Sequence, residues 1–212
     1  MIEQMLVTRG LNELKLLDSR IHRKIGEAEF VGAAKVSAVN INGKTTKETY
    51  KMNAKADYQS IMALIKRRNQ IKSAIIASNA VTMVEVAGKR MTVAEAIDKK
   101  SSIAYEKTLL ERLNGQFRTA VDTVTFENER VDCSIEQLLN TAYGKEGKEK
   151  ITKESYEAIA GPYRNANEYG LVDALEAEKL IKKMNDEIQE FESEVDTVLQ
   201  ISNSVTIIEI ES

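Results

Sequence analysis

Any chemistry in this chain has to come from a few side chains. The densest group is Lys66, Arg67, Arg68 and Lys72, with no acidic residue between them. Such a cluster can hold an anionic small ligand, an acidic partner surface or nucleic acid, or it can be neutralised by carboxylates of the same chain. The acidic stretch from Asp173 to Ile201 is the partner expected for that neutralisation. A second group is Gly88-Lys89-Arg90-Met91-Thr92, ahead of a helix start. It lacks the first glycine of a phosphate loop and separates Lys from Thr, so nucleotide hydrolysis is not expected. Lys89 and Arg90 can still hold an anion at the helix N-terminus, or simply decorate a hairpin turn. A third is the run from Gly161 to Tyr169, whose Tyr163, Arg164 and Asn165 suit a recognition loop bounded by Gly161-Pro162.

Those eight residues (Arg67, Arg68, Lys72, Lys89, Arg90, Tyr163, Arg164 and Asn165) are the candidate ligand contacts. No catalytic set accompanies them. The single histidine, His22, sits among Arg20, Arg23 and Lys24, the setting of a solvated side chain. The single cysteine, Cys133, excludes an intrachain disulfide and a Cys-rich metal site. Carboxylates such as Glu192 and Glu194 are plentiful, but no pair stands out as acid and base. The expectation is a protein that is not an enzyme and holds neither cofactor nor metal.

The elements that would position these residues are helical. Charged residues make up 30% of the 212 positions, aromatics 5%, and there is one proline and no tryptophan, a profile that favours long helices over a sandwich or a doubly wound sheet. Apolar residues recur every three or four positions from Leu14 to Ile25, a first helix that Gly10 weakens at its start. Asn42-Gly43 between β-favouring runs predicts a hairpin within 33–54. Asp57 is the expected cap of a second helix, striped by Ile61, Leu64, Ile65, Ile71 and Ile75 and stopped at Ser78-Asn79. Thr92-Val93-Ala94-Glu95 is a capping box for a third helix, with Ala96, Ile103, Leu110 and Phe117 at heptad spacing. Residues 118–132 read as extended. A second capping box, Ser134-Ile135-Glu136-Gln137, starts a short helix to Tyr143. A polar, mobile loop is expected over Gly144–Lys150, then a short helix over Lys153–Ala160 ended by Gly161-Pro162, within a largely polar region over 144–172. Asp173 and Glu176 signal the start of the last helix, whose Ile181, Met184, Ile188, Phe191, Val195 and Val198 form a heptad seam.

One segment occurs twice. Ser78-Asn79-Ala80-Val81-Thr82-Met83-Val84-Glu85-Val86 returns as Ser202-Asn203-Ser204-Val205-Thr206-Ile207-Ile208-Glu209-Ile210. Each copy reads as a helix stop at Ser-Asn followed by a short strand, over 81–92 and 205–210. An apolar strand of this kind needs a partner. Two are expected: Val81–Val86 of the same chain, or the same strand of a second subunit.

Leu64-Ile65-Lys66-Arg67-Arg68-Asn69, Ile71-Lys72-Ser73-Ala74-Ile75, Ser78-Asn79-Ala80-Val81-Thr82 and Met91-Thr92-Val93-Ala94-Glu95-Ala96-Ile97 resemble a family of uncharacterised proteins from phages and prophages of Gram-positive bacteria. Phe191 through Ile210 is similar to their ending. A more distant likeness, in the order helix, Asn-x-x-Thr turn, strand, Thr-x-x-Glu helix, is to septicolysin-like proteins. The resemblance implies phage origin and brings no catalytic residues.

The expected fold is mostly α, a single elongated antiparallel helical bundle or coiled coil with small β-hairpin elements at helix ends, assembling as a homo-oligomer. The expected function is non-enzymatic binding in the cytoplasm of the infected cell, by sequestering a small anionic signal molecule or blocking a host defence protein. The alternative is a virion or assembly component that oligomerises through its helical seams and last strand. A net charge of −3 gives no case for specific nucleic-acid binding. No apolar run approaches the length of a membrane span, and apolar residues confined to seams argue against membrane activity.

Overall fold

The two copies of the repeated segment end two long helices and begin two strands. The computed structural model describes residues 2–41, 43–144 and 152–211. Among them are five helices and three two-stranded antiparallel sheets: β1 (Ile2–Leu6), α1 (Val7–Glu27), β2 (Asn40–Ile41), β3 (Thr45–Thr46), α2 (Lys47–Val81), β4 (Met83–Val86), β5 (Lys89–Thr92), α3 (Val93–Tyr143), α4 (Lys153–Asn167), α5 (Ala177–Val205) and β6 (Ile207–Glu211). The protein is therefore mostly α, with helical-bundle character and small β elements.

Neither long helix stops at its Ser-Asn pair. α2 runs on to Val81 and α5 to Val205, and the next residue closes each end: the Thr82 N–H donates to the Ser78 carbonyl (2.9 Å), and the Thr206 N–H to the Ser202 carbonyl (3.0 Å). The correction is one of geometry. Asn79 and Asn203 stay helical, and an extended threonine makes the joint. Each threonine then receives the first turn of another helix. The Val93 N–H donates to the Thr82 carbonyl and the Val7 N–H to the Thr206 carbonyl, both at 2.9 Å. The two joints are thus equivalent: α2–β4 meets β5–α3, and α5–β6 meets β1–α1.

That equivalence identifies the partner of the last strand, which is neither of the two expected. β6 pairs with β1, from Ile2 opposite Glu211 to Leu6 opposite Ile207. β1 is invisible to helical periodicity because its five residues run directly into the stripe of α1. β4 pairs instead with β5, through a two-residue turn at Ala87 (φ 51°) and Gly88 (φ 65°), the backbone a tight hairpin requires.

The chain divides into two compact units, Met1–Ser101 with Glu190–Ser212, and Ser102–Gln189. The core of the first gathers Met5, Val7, Leu14, Leu17, Ile21, Ile71, Ile75, Ile208 and Ile210. α1 lies on α2 there. Gly10 makes the approach close, since a Cβ at that position would stand 3.2 Å from Ile208 Cδ1, 3.3 Å from Ile75 Cδ1 and 3.4 Å from Ile71 Cγ2. In the same unit Val86, Val93, Ala96, Phe191 and Val195 are buried, and the start of α3 meets α5 through Lys99 over the Phe191 ring and Lys100 with Asp196. The capping box at Thr92 forms as expected: Thr92 Oγ1 accepts from the Glu95 N–H (3.1 Å) and Glu95 Oε2 from the Thr92 N–H (2.6 Å).

The expected hairpin forms, but only as two residue pairs, Asn40 with Thr46 and Ile41 with Thr45. Asn42 lies outside the described residues; Gly43 adopts φ 69°. Thr46 caps α2 by accepting from the Thr49 N–H, so the helix begins ten residues before Asp57, which lies inside it.

In the second unit α3 is continuous, with no extended segment over 118–132 and no new start at Ser134. Its β-branched and hydroxyl residues are accommodated without breaking the helix. Thr119, Thr123, Ser134 and Thr141 each donate to the carbonyl four residues earlier, a bond that satisfies the hydroxyl inside a helix. Val131, Ile135 and Leu139 pack on Ala160 of α4. That helix passes through Gly161-Pro162 to Asn167; Pro162 leaves only the carbonyl of exposed Ala158 without its helical donor. Asp173 does initiate α5, accepting from the Leu175 and Ala177 N–H groups. Of the expected loop over Gly144–Lys150, Gly144 ends α3 at φ 69° and the rest lies outside the described residues.

Candidate functional site

The basic cluster on α2 is divided by its position on the helix. Arg67 and Arg68 face α1 and β1. The Arg67 guanidinium donates through Nε to Glu13 Oε1 (2.8 Å) and through Nη1 to Glu3 (2.8 Å), while Arg68 Nε meets Asp18 at 2.5 Å. The hydrogen bonds from Glu13 and then Glu3 push the Arg67 pKa above its already high ordinary value. Neutralisation within the chain is real, but its carboxylates belong to β1 and α1 rather than to the acidic α5. Lys66 and Lys72 are exposed and make no ion pair among the described residues.

The other predicted contacts are dispersed. Lys89 and Arg90 are exposed on β5, Arg90 standing opposite Glu85. Tyr163, Arg164 and Asn165 lie on α4 of the second unit instead of on a loop. Tyr163 packs against the Val131–Ala160 cluster, and Arg164 pairs with Asp132 at 2.5 Å, which raises its pKa. Within the first unit α2 carries the arginines inward. Arg67, Arg68 and Arg164 are occupied by carboxylates, so they form no open anion pocket. His22 and Cys133 are exposed. Glu194 accepts from the Ala87 N–H (2.7 Å). Among the described residues no three His, Cys, Asp or Glu side chains cluster as metal ligands, and no helix is long and apolar enough to cross a membrane.

What α2 leaves open is its outer face. Tyr58, Met62, Ile65, Asn69, Lys72 and Ile76 follow one another at four, three, four, three and four residues, the spacing of a helix-packing seam, and all are exposed except Ile65, which packs partly against the core. Tyr58 is 58% exposed, Met62 45% and Ile76 58%. Two grooves lie along the helix. One, of about 660 Å³, is lined by Met62, Ala63, Ile65, Lys66, Asn69, Gln70 and Ser73. The other, of about 590 Å³, is lined by Phe30, Tyr50, Lys51, Ala54, Lys55 and Tyr58. From Tyr50 to Val81 the only acidic residue of α2 is Asp57, so the strip is apolar and aromatic with a cationic border.

Sequence reading missed Tyr50, Lys51, Lys55, Tyr58 and Met62. The signal was present: Tyr50, Ala54 and Tyr58 are spaced by four, and Lys51 and Lys55 repeat that spacing one residue on. Assigning 45–54 to a hairpin concealed it. Comparison of the chain with protein-family models, with curated proteins and with solved structures finds no match.

Proposed function

We propose that the chain acts without catalysis, as a binding protein whose α2 outer face covers an acidic, amphipathic helix of another protein. The observation that carries this reading is the exposed Met62, Asn69, Lys72 and Ile76 of that face, with the groove lined by Met62, Ile65, Lys66 and Asn69 beside them. A helix face with this spacing is built to be covered by another helix. A second copy of the same face would set Lys66 and Lys72 against their own counterparts, whereas an acidic helix meets them with opposite charge. Taken with the resemblance to phage proteins, this makes a host defence protein, blocked in the infected cell, the partner we propose.

The test is a photo-crosslinking residue placed at Met62 or Asn69 in phage-infected cells. The reading expects one dominant adduct to an acidic helical segment of a host protein, lost when Lys66→Glu and Lys72→Glu are combined. A crosslink from the same positions to a virion protein, with the chain present in purified particles at fixed stoichiometry, would replace it with the virion-component alternative.

A further inference from the structure

The second groove on α2 shares no lining residue with the first, and its chemistry differs. Three of the eleven tyrosines and phenylalanines, Phe30, Tyr50 and Tyr58, converge on it. Tyr50 and Tyr58 lie two helical turns apart with Ala54 between them, so a small floor is bounded by two rings. Phe30, from the segment after α1, supplies the third ring. That segment is held in place. Lys47 Nζ donates to the carbonyls of Lys35 (2.8 Å) and Val36 (3.0 Å), and a Cβ at Gly32 would collide with Ile41 and press on the Tyr50 ring. These contacts hold the segment that carries Phe30 against the start of α2 and Tyr50. On the adjacent stripe Lys51 and Lys55 stand one turn apart, both exposed and without an ion pair among the described residues. The lining holds no carboxylate.

From this geometry we infer that the groove binds a nucleoside monophosphate, the base against the tyrosine and phenylalanine rings and the phosphate between Lys51 and Lys55. Each part follows from the lining. Flat apolar walls with ring faces favour a planar aromatic group, because every base offers a π-face to stack. Two ammonium groups one helical turn apart suit a dianion better than a single carboxylate. The volume falls within the usual range for small-molecule sites. The tyrosine hydroxyls and the lysines are the only polar side chains of the lining, so the groove reads ring and charge and is indifferent to which base it holds.

The experiment is calorimetric titration of the full chain with AMP, CMP, adenosine and inorganic phosphate, and with a short single-stranded oligonucleotide. AMP and CMP are expected to bind with affinities within a fewfold of each other, and adenosine and phosphate each at least about tenfold more weakly. Tyr58→Ala should weaken AMP binding by about tenfold or more, the usual loss of one stacked base. Lys51→Ala combined with Lys55→Ala should weaken it similarly and flatten its salt dependence, while Met62→Ala in the neighbouring groove leaves it unchanged. All four substituted positions are solvent-facing, so an unchanged melting temperature shows that the variants are folded. No heat from AMP at millimolar concentration overturns the proposal, as does binding that survives Tyr58→Ala. Tight oligonucleotide binding with none for AMP also overturns it, in favour of strand recognition.

Discussion

Gly10 and Ile208 offer a quantitative test of how α1 docks. Gly10 lies inside α1, where glycine costs about 1 kcal/mol relative to alanine. Gly10→Ala recovers that amount but drives a methyl toward three core isoleucines, at 3.2 Å from Ile208 Cδ1, 3.3 Å from Ile75 Cδ1 and 3.4 Å from Ile71 Cγ2. Ordinary contact begins at 3.4 Å, so two of the three neighbours must give way by 0.1–0.2 Å. Overpacking a dense core costs about 1–3 kcal/mol, and this small shortfall belongs at the low end, so the single variant should be near neutral. Ile208→Val removes the nearest atom and by itself should cost about 0.5–1.5 kcal/mol. In that background the helix gain of Gly10→Ala should emerge, so the double variant should exceed the sum of the singles by about 0.5–1 kcal/mol. Urea unfolding of the four proteins, followed by circular dichroism at the helical band, measures the cycle. A coupling indistinguishable from zero, or of opposite sign, would refute the packing of α1 against β6. The equivalent joint supports the expectation: Ala96, three residues after Val93 as Gly10 is three after Val7, already carries this methyl and is fully buried.

Three further outcomes follow from particular contacts. Ile210 is 1% exposed and Ile207 59%, so Ile210→Ala should cost about 2–5 kcal/mol and Ile207→Ala less than about 0.5 in the same denaturation assay; equal effects would mean the β1–β6 register is wrong. The Thr92 N–H and hydroxyl hold the Glu95 carboxyl below its ordinary 4.5, so its contribution is complete above that value and fades as pH falls through the lower folded-state pKa. Glu95→Gln should therefore flatten the acid side of a plot of melting temperature against pH, below about pH 4.5, and an unchanged profile would remove the capping box from the account. Arg67→Met leaves Glu3 and Glu13 facing each other's charge at a partly exposed site and should cost about 1 kcal/mol, with Arg67→Lys restoring only part because it cannot bridge both carboxylates; full rescue by lysine would contradict the bidentate geometry.

Periodicity exposed the parts of the fold whose apolar residues face one core for many turns. The stripe of α1 and the seam of α5 were legible for that reason, and so was the capping box at Thr92, which depends on two residues three apart. Three features were not legible. β1 is too short for an alternating pattern to separate from the helix it enters, and only its pairing with β6 defines it. The middle of α3 contains Val121, Val124 and several threonines, whose β preference yields to packing and to hydroxyl bonds made inside the helix. Gly161-Pro162 looked like a terminator because local rules cannot see that α4 is held by Ala160 and Tyr163 on either side of the pair. The repeated segment identified two joints correctly and misplaced their closing residue, since serine and asparagine signal a stop that the following threonine actually makes.

The site was half legible, and the division has a physical cause. Lys66, Arg67, Arg68 and Lys72 read as one cluster in sequence, but only the arginines meet carboxylates, and both lysines are exposed. The two arginines fall toward Glu3, Glu13 and Asp18, where a planar guanidinium can hold two carboxylates at once. The two lysines fall on the outside, where a strongly hydrated ammonium pays little to remain unpaired. Lys51 and Lys55 extend that border upstream, past the point where sequence reading had placed the helix start. The four lysines therefore make a worse structural element than they make a recognition surface: charge reversal on the outside should leave the α1–α2 core intact, while the same change at Arg67 or Arg68 would set like charges against α1. If reversal at Lys66 and Lys72 destabilised the protein as much as reversal at Arg67, the division between an inner structural set and an outer binding set would be wrong, and the outer face would lose its claim to a partner.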